Sequence, residues 1–116
     1  MVSKKFWAVA LLALSLLVVS CDLDTSRTVR FYASSTFGTV SVEYFCGDPS
    51  SGDYISLDDQ VSPWSVEVKA EKGDYVELFV GDLLNEEGLI ARIYVDGKLF
   101  KEDTGDFLAW VSGYVE

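Results

Sequence analysis

Short stretches in which apolar and polar residues alternate are the feature that most limits how this chain can fold. The clearest stretches are centred on Phe31, Val42 and Val66. Because successive side chains of a β-strand point to opposite faces, a repeat of two residues predicts strands that bury one face. Turn-rich segments separate the stretches, and Asp96-Gly97 is the pair that most strongly predicts a two-residue hairpin. The pattern therefore predicts an all-β domain with antiparallel strands.

Seven or eight such strands are predicted within residues 28–116, where no segment has the periodicity of a helix. Short strands of this number and spacing are typical of an immunoglobulin-like sandwich. We therefore expect a single immunoglobulin-like antiparallel β-sandwich in residues 28–116. Most of its aromatic side chains are expected in the core or on the sheet faces.

The first twenty-one residues have the layout of a secretory signal: two lysines, an uncharged apolar run at residues 6–19, then a small residue. The end of this segment, Val18-Val19-Ser20-Cys21, resembles the lipobox of bacterial lipoproteins. That resemblance implies that a signal helix at residues 1–20 is removed. It also implies that Cys21 becomes the first residue of the mature protein, carrying a diacylglyceryl group and an amide-linked acyl chain.

Two other interpretations of the N-terminus remain open. An uncleaved membrane anchor would need flanking residues, because the apolar run at residues 6–19 is shorter than the roughly 20 residues that cross a bilayer as a helix. A plain secretory signal would leave Cys21 without lipid. Under the lipoprotein interpretation, residues 21–27 are the lipidated N-terminus and a short tether. The expected location is then the bacterial cell envelope, where lipid anchors the domain on either the periplasmic face or the cell surface.

The composition excludes several classes of function. The chain has 9 basic and 19 acidic residues, and two of the basic ones, Lys4 and Lys5, lie in the segment expected to be removed. The remaining residues therefore have a strong excess of negative charge. This charge repels phosphate groups, so we expect no nucleic-acid partner. Histidine is absent from the sequence, which removes the commonest general base and the commonest transition-metal ligand. With no nucleophile motif either, we expect neither an enzyme nor a cofactor.

The acidic pairs do not match a known metal-binding loop. Asp48 with Asp53 and Asp58 with Asp59 lack the spacing of a calcium loop, so we interpret them as solvated turn residues and expect no metal. Cys46 has no disulfide partner in the chain once Cys21 carries lipid. It is either a small buried apolar side chain or a reactive thiol.

The loop from Gly81 to Gly88 is the most distinctive segment of the predicted domain. Leu83 and Leu84 are apolar residues in a loop that is otherwise acidic. They either tuck under the end of the sandwich or present an apolar contact to a partner, since exposed apolar patches rimmed by charge mark interfaces.

Three segments of the second half resemble the MmpS-type transport accessory proteins: Ser62-Pro63-Trp64-Ser65, Lys72-Gly73-Asp74 and Val95-Asp96-Gly97-Lys98. The resemblance implies a small envelope-facing β domain that assists a transporter of the resistance-nodulation-division type, and it implies no catalytic residues. In this alignment the two late cysteines of the family fall at Ala91 and Gly113. The resemblance therefore implies that this chain lacks the family's disulfide.

These observations predict a non-catalytic lipoprotein of the cell envelope, an accessory or binding module for a multi-span membrane transporter. The alternative is a surface-exposed interaction or structural lipoprotein with the same kind of domain. In both cases the predicted contact with the bilayer is made through the acylated Cys21, and the predicted contact with a partner through Leu83 and Leu84.

Overall fold

The computed structural model describes residues 25–50, 52–81 and 88–116. These residues form eight β-strands: β1 (Ser26–Ser34), β2 (Thr39–Gly47), β3 (Ile55–Val61), β4 (Trp64–Glu71), β5 (Tyr75–Gly81), β6 (Leu89–Val95), β7 (Lys98–Gly105) and β8 (Leu108–Tyr114). Sheet 1 has the order β4-β1-β6-β7, and sheet 2 has the order β3-β2-β5-β8. All of these pairings are antiparallel. The predicted all-β sandwich and the predicted number of strands are confirmed.

The chain passes repeatedly between the two sheets. β1 lies in sheet 1 and β2 in sheet 2. By contrast, β2 and β3 pair as a hairpin within sheet 2, and β6 and β7 pair as a hairpin within sheet 1. In a constant-type immunoglobulin domain the first two strands pair in the same sheet. The molecule is therefore a β-sandwich of two packed antiparallel sheets, and its strand order differs from that of a constant-type immunoglobulin domain.

The core lies between the sheets and is lined by the alternating positions of the sequence. Val29, Phe31 and Ala33 have no exposed surface. From sheet 2, Tyr44 packs against Phe31 with ring centroids 5.1 Å apart, and Trp64 of β4 packs against Tyr44 at 5.6 Å. Burial of each large apolar side chain contributes about 1.5–3 kcal/mol, so these contacts hold the two sheets together.

Two turns form as the sequence predicts. Asp96 and Gly97 both have positive φ, 49° and 81°, which is the conformation that a two-residue hairpin of type I′ requires. Asp96 also ties this hairpin to β1, because its Oδ1 accepts the N–H of Thr28 at 2.9 Å. In the β4–β5 turn, the N–H of Asp74 donates to the carbonyl of Glu71 at 3.0 Å.

The positions that the family resemblance assigns to a disulfide lie in opposite sheets. Ala91 is fully buried in β6, and Gly113 lies in β8. A Cβ atom at Gly113 would lie 2.9 Å from Cε2 of Phe100. The ring of Phe100 therefore occupies the space that a larger side chain at Gly113 would need.

The expected signal helix at residues 1–20 lies outside the described residues. Within the described part of the chain there is no helix with the length and apolar character of a membrane span. β1 begins at Ser26, so two residues of the expected tether, residues 21–27, belong to the first strand.

Candidate functional site

The residues that the sequence singled out as sites are not among those that the structure describes. Cys21 precedes the first described residue, and Leu83 and Leu84 lie in the segment between Gly81 and Gly88. The lipid attachment and the speculative partner contact therefore stay predictions. The candidate site described below was not predicted.

The outer face of sheet 2, which points away from the core, is largely aromatic. Every second residue of the strands that form this face points toward the core, so the residues between them point outward. Six rings from β2, β5, β8 and the segment before β3 gather there around one carboxylate. We call this surface the aromatic face; it consists of Phe45, Tyr54, Tyr75, Phe79, Trp110, Tyr114 and Glu77.

Two ring pairs form across the β5–β8 boundary. Tyr75 lies opposite Tyr114, and Phe79 lies opposite Trp110. The ring centroids are 5.3 Å apart in the first pair and 5.8 Å apart in the second, where the rings are nearly parallel at 11°. Cross-strand aromatic pairs of this kind contribute about 0.5–1.5 kcal/mol beyond the area they bury. Trp110 and Tyr114 remain 49% and 60% exposed, so the rings stabilise one another and still face solvent.

A third pair extends the aromatic face toward β3. The rings of Phe45 and Tyr54 have centroids 5.3 Å apart. Gly52 lies against Phe45 so closely that a Cβ atom there would overlap the ring, at 1.5 Å from Cε2. A larger residue at this position would therefore force the ring of Phe45 to move.

Glu77 lies at the centre of the aromatic face and is only 6% exposed. Its Oε2 accepts the indole N–H of Trp110 at 2.6 Å, and its Oε1 accepts a short hydrogen bond from the hydroxyl of Tyr54. This hydrogen bond, together with burial and the charge of Glu77, raises the pKa of Tyr54 to about 12. A buried carboxylate is stable only when its oxygens are hydrogen-bonded, so Glu77 and the two rings hold one another in place.

A depression of about 720 Å³ adjoins the aromatic face at its other end. Phe79 belongs to both surfaces. The depression forms where the β2–β3 register shifts between Val40 and Val42, and Asp59 adopts a positive φ of 52°. Its lining combines apolar and acidic side chains, and we call it the acidic depression; among its residues are Phe79, Phe107, Leu108, Glu43, Asp58 and Asp59.

The charged residues are divided unequally between the two sheets. The strands of sheet 1 contain six basic and four acidic residues, whereas those of sheet 2 contain four acidic residues and no Lys or Arg. The one other basic residue of the described part of the chain, Lys72, lies in the β4–β5 turn. Sheet 2 is therefore purely anionic, and its outer face is anionic and aromatic together.

The outer face of sheet 1 has a different chemistry. The guanidinium of Arg30 lies over the ring of Tyr94 at 4.4 Å, and that of Arg92 lies 5.4 Å from the ring centroid of Tyr32. Arg92 also pairs with Glu102, which raises the pKa of the guanidinium further. These contacts match cations to rings and carboxylates within the face, which is typical of a solvated surface.

The acidic pairs noted in the sequence do not form a metal site in the structure. Asp48 accepts hydrogen bonds from the N–H and the hydroxyl of Ser50 at 2.9 and 2.8 Å, and these bonds lower the pKa of its carboxyl. This geometry is an Asx turn, as expected for a solvated turn residue. The described residues contain no group of three or more ligand side chains that could hold a metal ion.

Cys46 packs against the core and is partly buried. Burial, and to a lesser extent the charge of Asp74, raises the pKa of its thiol to about 11. The thiol is therefore protonated at neutral pH, and since the thiolate is the nucleophile, this favours a packing role over a reactive one.

The sequence does contain a signal that β5 presents apolar residues on both of its faces. In β5, apolar residues lie on both faces of the strand: Val76 and Leu78 face the core, while Tyr75 and Phe79 point outward. A strand that is apolar on both faces either has other parts of the protein packed on both faces or exposes an apolar surface to solvent. The position of Glu77 between two outward aromatic residues marks the centre of that surface.

Comparison with known proteins gives no further guide to this site. No protein-family model matches the chain, and no curated protein matches it.

Proposed function

We propose that this chain is a non-catalytic, lipid-anchored module of the bacterial cell envelope that binds a membrane protein through its aromatic face. The observation that carries the proposal is the contrast between the two outer faces. On sheet 1, Arg30 and Arg92 lie against rings and a carboxylate of the same sheet, whereas sheet 2 leaves Trp110 and Tyr114 about half exposed. Exposed aromatic clusters are characteristic of protein interfaces.

The geometry of the aromatic face suits binding. The hydrogen bonds of Glu77 fix the indole of Trp110 and the phenol of Tyr54 before any partner arrives. Side chains that are already ordered lose less conformational entropy on association, which leaves more of the contact energy as affinity. Tryptophan and tyrosine are also the residues most often found at the energetic centre of an interface.

The N-terminal sequence supports the location. Acylation of Cys21 with a diacylglyceryl group and a further chain would give stable anchoring, because two or more chains are needed to hold a protein on a bilayer. Residues 22–25 then separate the lipid from β1, and four extended residues reach at most about 14 Å. A domain held this close favours a partner in the same membrane.

The resemblance to MmpS-type accessory proteins makes a multi-span transporter the most specific partner to test. We would purify the full-length, C-terminally tagged protein from membranes in mild detergent and identify the proteins recovered with it. A variant with Trp110→Ala and Tyr114→Ala should lose a permease that the unchanged protein recovers. The matched control carries Tyr32→Ala and Tyr94→Ala on sheet 1 and should retain it.

Equal recovery of the permease by both variants would rule out the aromatic face as the docking surface. Recovery of the acylated protein alone would contradict a stable transporter complex. Lipid anchoring has its own test: Cys21→Ser should abolish membrane association and change the mass of the mature protein. Rapid cleavage by protease added to whole cells would favour the alternative, surface display, over a periplasmic adaptor.

A further inference from the structure

We infer that the partner segment recognised by the aromatic face is basic, with lysine or arginine side chains set between apolar ones. This inference rests on the proposed docking function and specifies the chemistry of the partner. Its basis is the distribution of charge around the aromatic face and the composition of the acidic depression beside it.

The first observation is the exclusion of cations from sheet 2. Its strands carry Glu43, Asp58, Asp59 and Glu77 and no Lys or Arg, although the strands of sheet 1 carry six basic residues. Glu77 is satisfied by hydrogen bonds within the aromatic face. Glu43, Asp58 and Asp59 line the acidic depression, and among the described residues no ion pair is formed by any of these three. The negative charge of these three carboxylates is therefore available to pair with cations of a partner.

The second observation is that the acidic depression suits the two parts of a basic side chain. Lysine and arginine carry a long apolar stem and a charged head. Phe79, Phe107 and Leu108 offer apolar contacts for the stem, and the latter two are 65% and 54% exposed. The carboxylates of Glu43 and Asp58 in the same lining would pair with the head. Neighbouring apolar residues of the segment would then lie on Trp110 and Tyr114.

The same charge distribution argues against the other occupants. A second copy of this chain docked face to face would bring carboxylates against carboxylates, and like charges juxtaposed across an interface disfavour the complex. Anionic lipid headgroups and nucleic acids are repelled for the same reason. A neutral polysaccharide would gain nothing from a sheet without lysine and arginine, so it does not explain why cations are excluded.

The test uses the full-length acylated protein in a neutral detergent and three synthetic peptides of equal length. In these peptides leucine alternates with lysine, with glutamate or with serine. We expect the lysine peptide to bind and its affinity to fall as salt is raised, because salt screens exposed charges. The glutamate peptide should not bind. Hydroxyethylcellulose serves as a neutral polysaccharide probe, and sedimentation of the protein alone reports self-association.

Two charge-neutralising variants locate the binding surface. The pair Glu43→Gln and Asp58→Asn removes two carboxylates of the acidic depression, and the control pair Glu67→Gln and Glu71→Gln removes two from sheet 1. Neutralising each carboxylate of the depression is expected to weaken binding of the lysine peptide about two- to fivefold, and the control pair is expected to change it less than about twofold. All four side chains are exposed, so both variants should fold.

Equal binding of the serine peptide, binding of the polysaccharide in its place, or face-to-face dimers would each overturn the inference. If a permease is still captured through Trp110 and Tyr114, the proposed docking function survives that result. If no peptide binds and no capture depends on these two residues, the inference and the proposed function fall together.

Discussion

Glu77 of β5 and Trp110 of β8 are joined by a hydrogen bond of 2.6 Å from the indole Nε1 to the carboxylate Oε2. The two residues are not opposite each other in the strand register, since Glu77 lies opposite Ser112. The bond is therefore diagonal across the two strands, and it holds the indole over the centre of the sheet. A carboxylate that is almost fully buried thus determines where the largest ring of the aromatic face lies.

Replacement of Glu77 by alanine should lower the free energy of unfolding by about 1–3 kcal/mol, because hydrogen bonds to a charged group contribute about 1.5–3 kcal/mol each and water replaces part of them. Denaturation in urea measures the change. Glu67→Ala, on the exposed face of β4, is the control and should shift the unfolding free energy by less than about 0.5 kcal/mol. Equal losses in the two variants would show that Glu77 does not anchor the rings.

The hydroxyl of Tyr54 should ionise near pH 12, because Glu77 stabilises its neutral form. Since the pKa is raised on folding from an ordinary value of about 10, the stability that this bond contributes is fully present below pH 10 and is lost as the pH rises through 12. Ultraviolet absorbance of tyrosinate follows the titration. The high-pH step should disappear in Tyr54→Phe and move toward pH 10 in Glu77→Gln. A titration of the unchanged protein with no step near pH 12 would contradict the hydrogen bond.

The thiol of Cys46 should react slowly with iodoacetamide at neutral pH, because its pKa of about 11 leaves almost no thiolate. Folding favours the protonated thiol, so its contribution to stability is present at neutral pH and is lost as the pH rises toward 11. Mass spectrometry at timed intervals measures the rate. The same protein unfolded in urea is the reference and should be modified much faster. Equal rates would mean that the thiol is neither buried nor perturbed.

Alanine at Gly105 should destabilise the fold severely, because a Cβ atom there would lie 2.1 Å from the carbonyl oxygen of Leu108, which belongs to the backbone. We expect a loss above about 2 kcal/mol, since overpacking commonly costs 1–3 kcal/mol even against mobile side chains. Gly81→Ala is the matched control: its Cβ would meet the nearest backbone oxygen at 3.6 Å, an ordinary contact. Thermal unfolding of the two variants compares them directly.

The sequence pattern was sufficient to predict the strands that bury one face and expose the other. β1 and β4 show this, because Phe31 and Val66 alternate with residues that are more exposed than they are. β7 extends past the apolar residues that follow the Asp96-Gly97 hairpin, as far as Gly105. Residues 102–105 carry no large apolar side chain, so no apolar repeat marks this part of the strand.

The aromatic face lay beyond the sequence analysis for a different reason. Glu77 meets Trp110 and Tyr54 only after β5 has paired with β2 and β8, which brings together residues 33 and 23 positions apart. Strand register and sheet order determine such contacts, and local alternation carries no information about either. The outward aromatic residues of β5 were visible in the sequence, but their partners were not.

The unequal division of charge also makes the sandwich an electric dipole across its thickness. Sheet 1 carries a positive balance in its strands, and sheet 2 carries only negative charge, about 10 Å away. On the proposed lipid anchor, the field of anionic headgroups would act on this dipole whenever the domain comes within about a Debye length of the bilayer. That field would turn sheet 1 toward the lipid and the rings of sheet 2 outward. The domain would then be oriented before its partner arrives, and a larger share of their collisions would be productive.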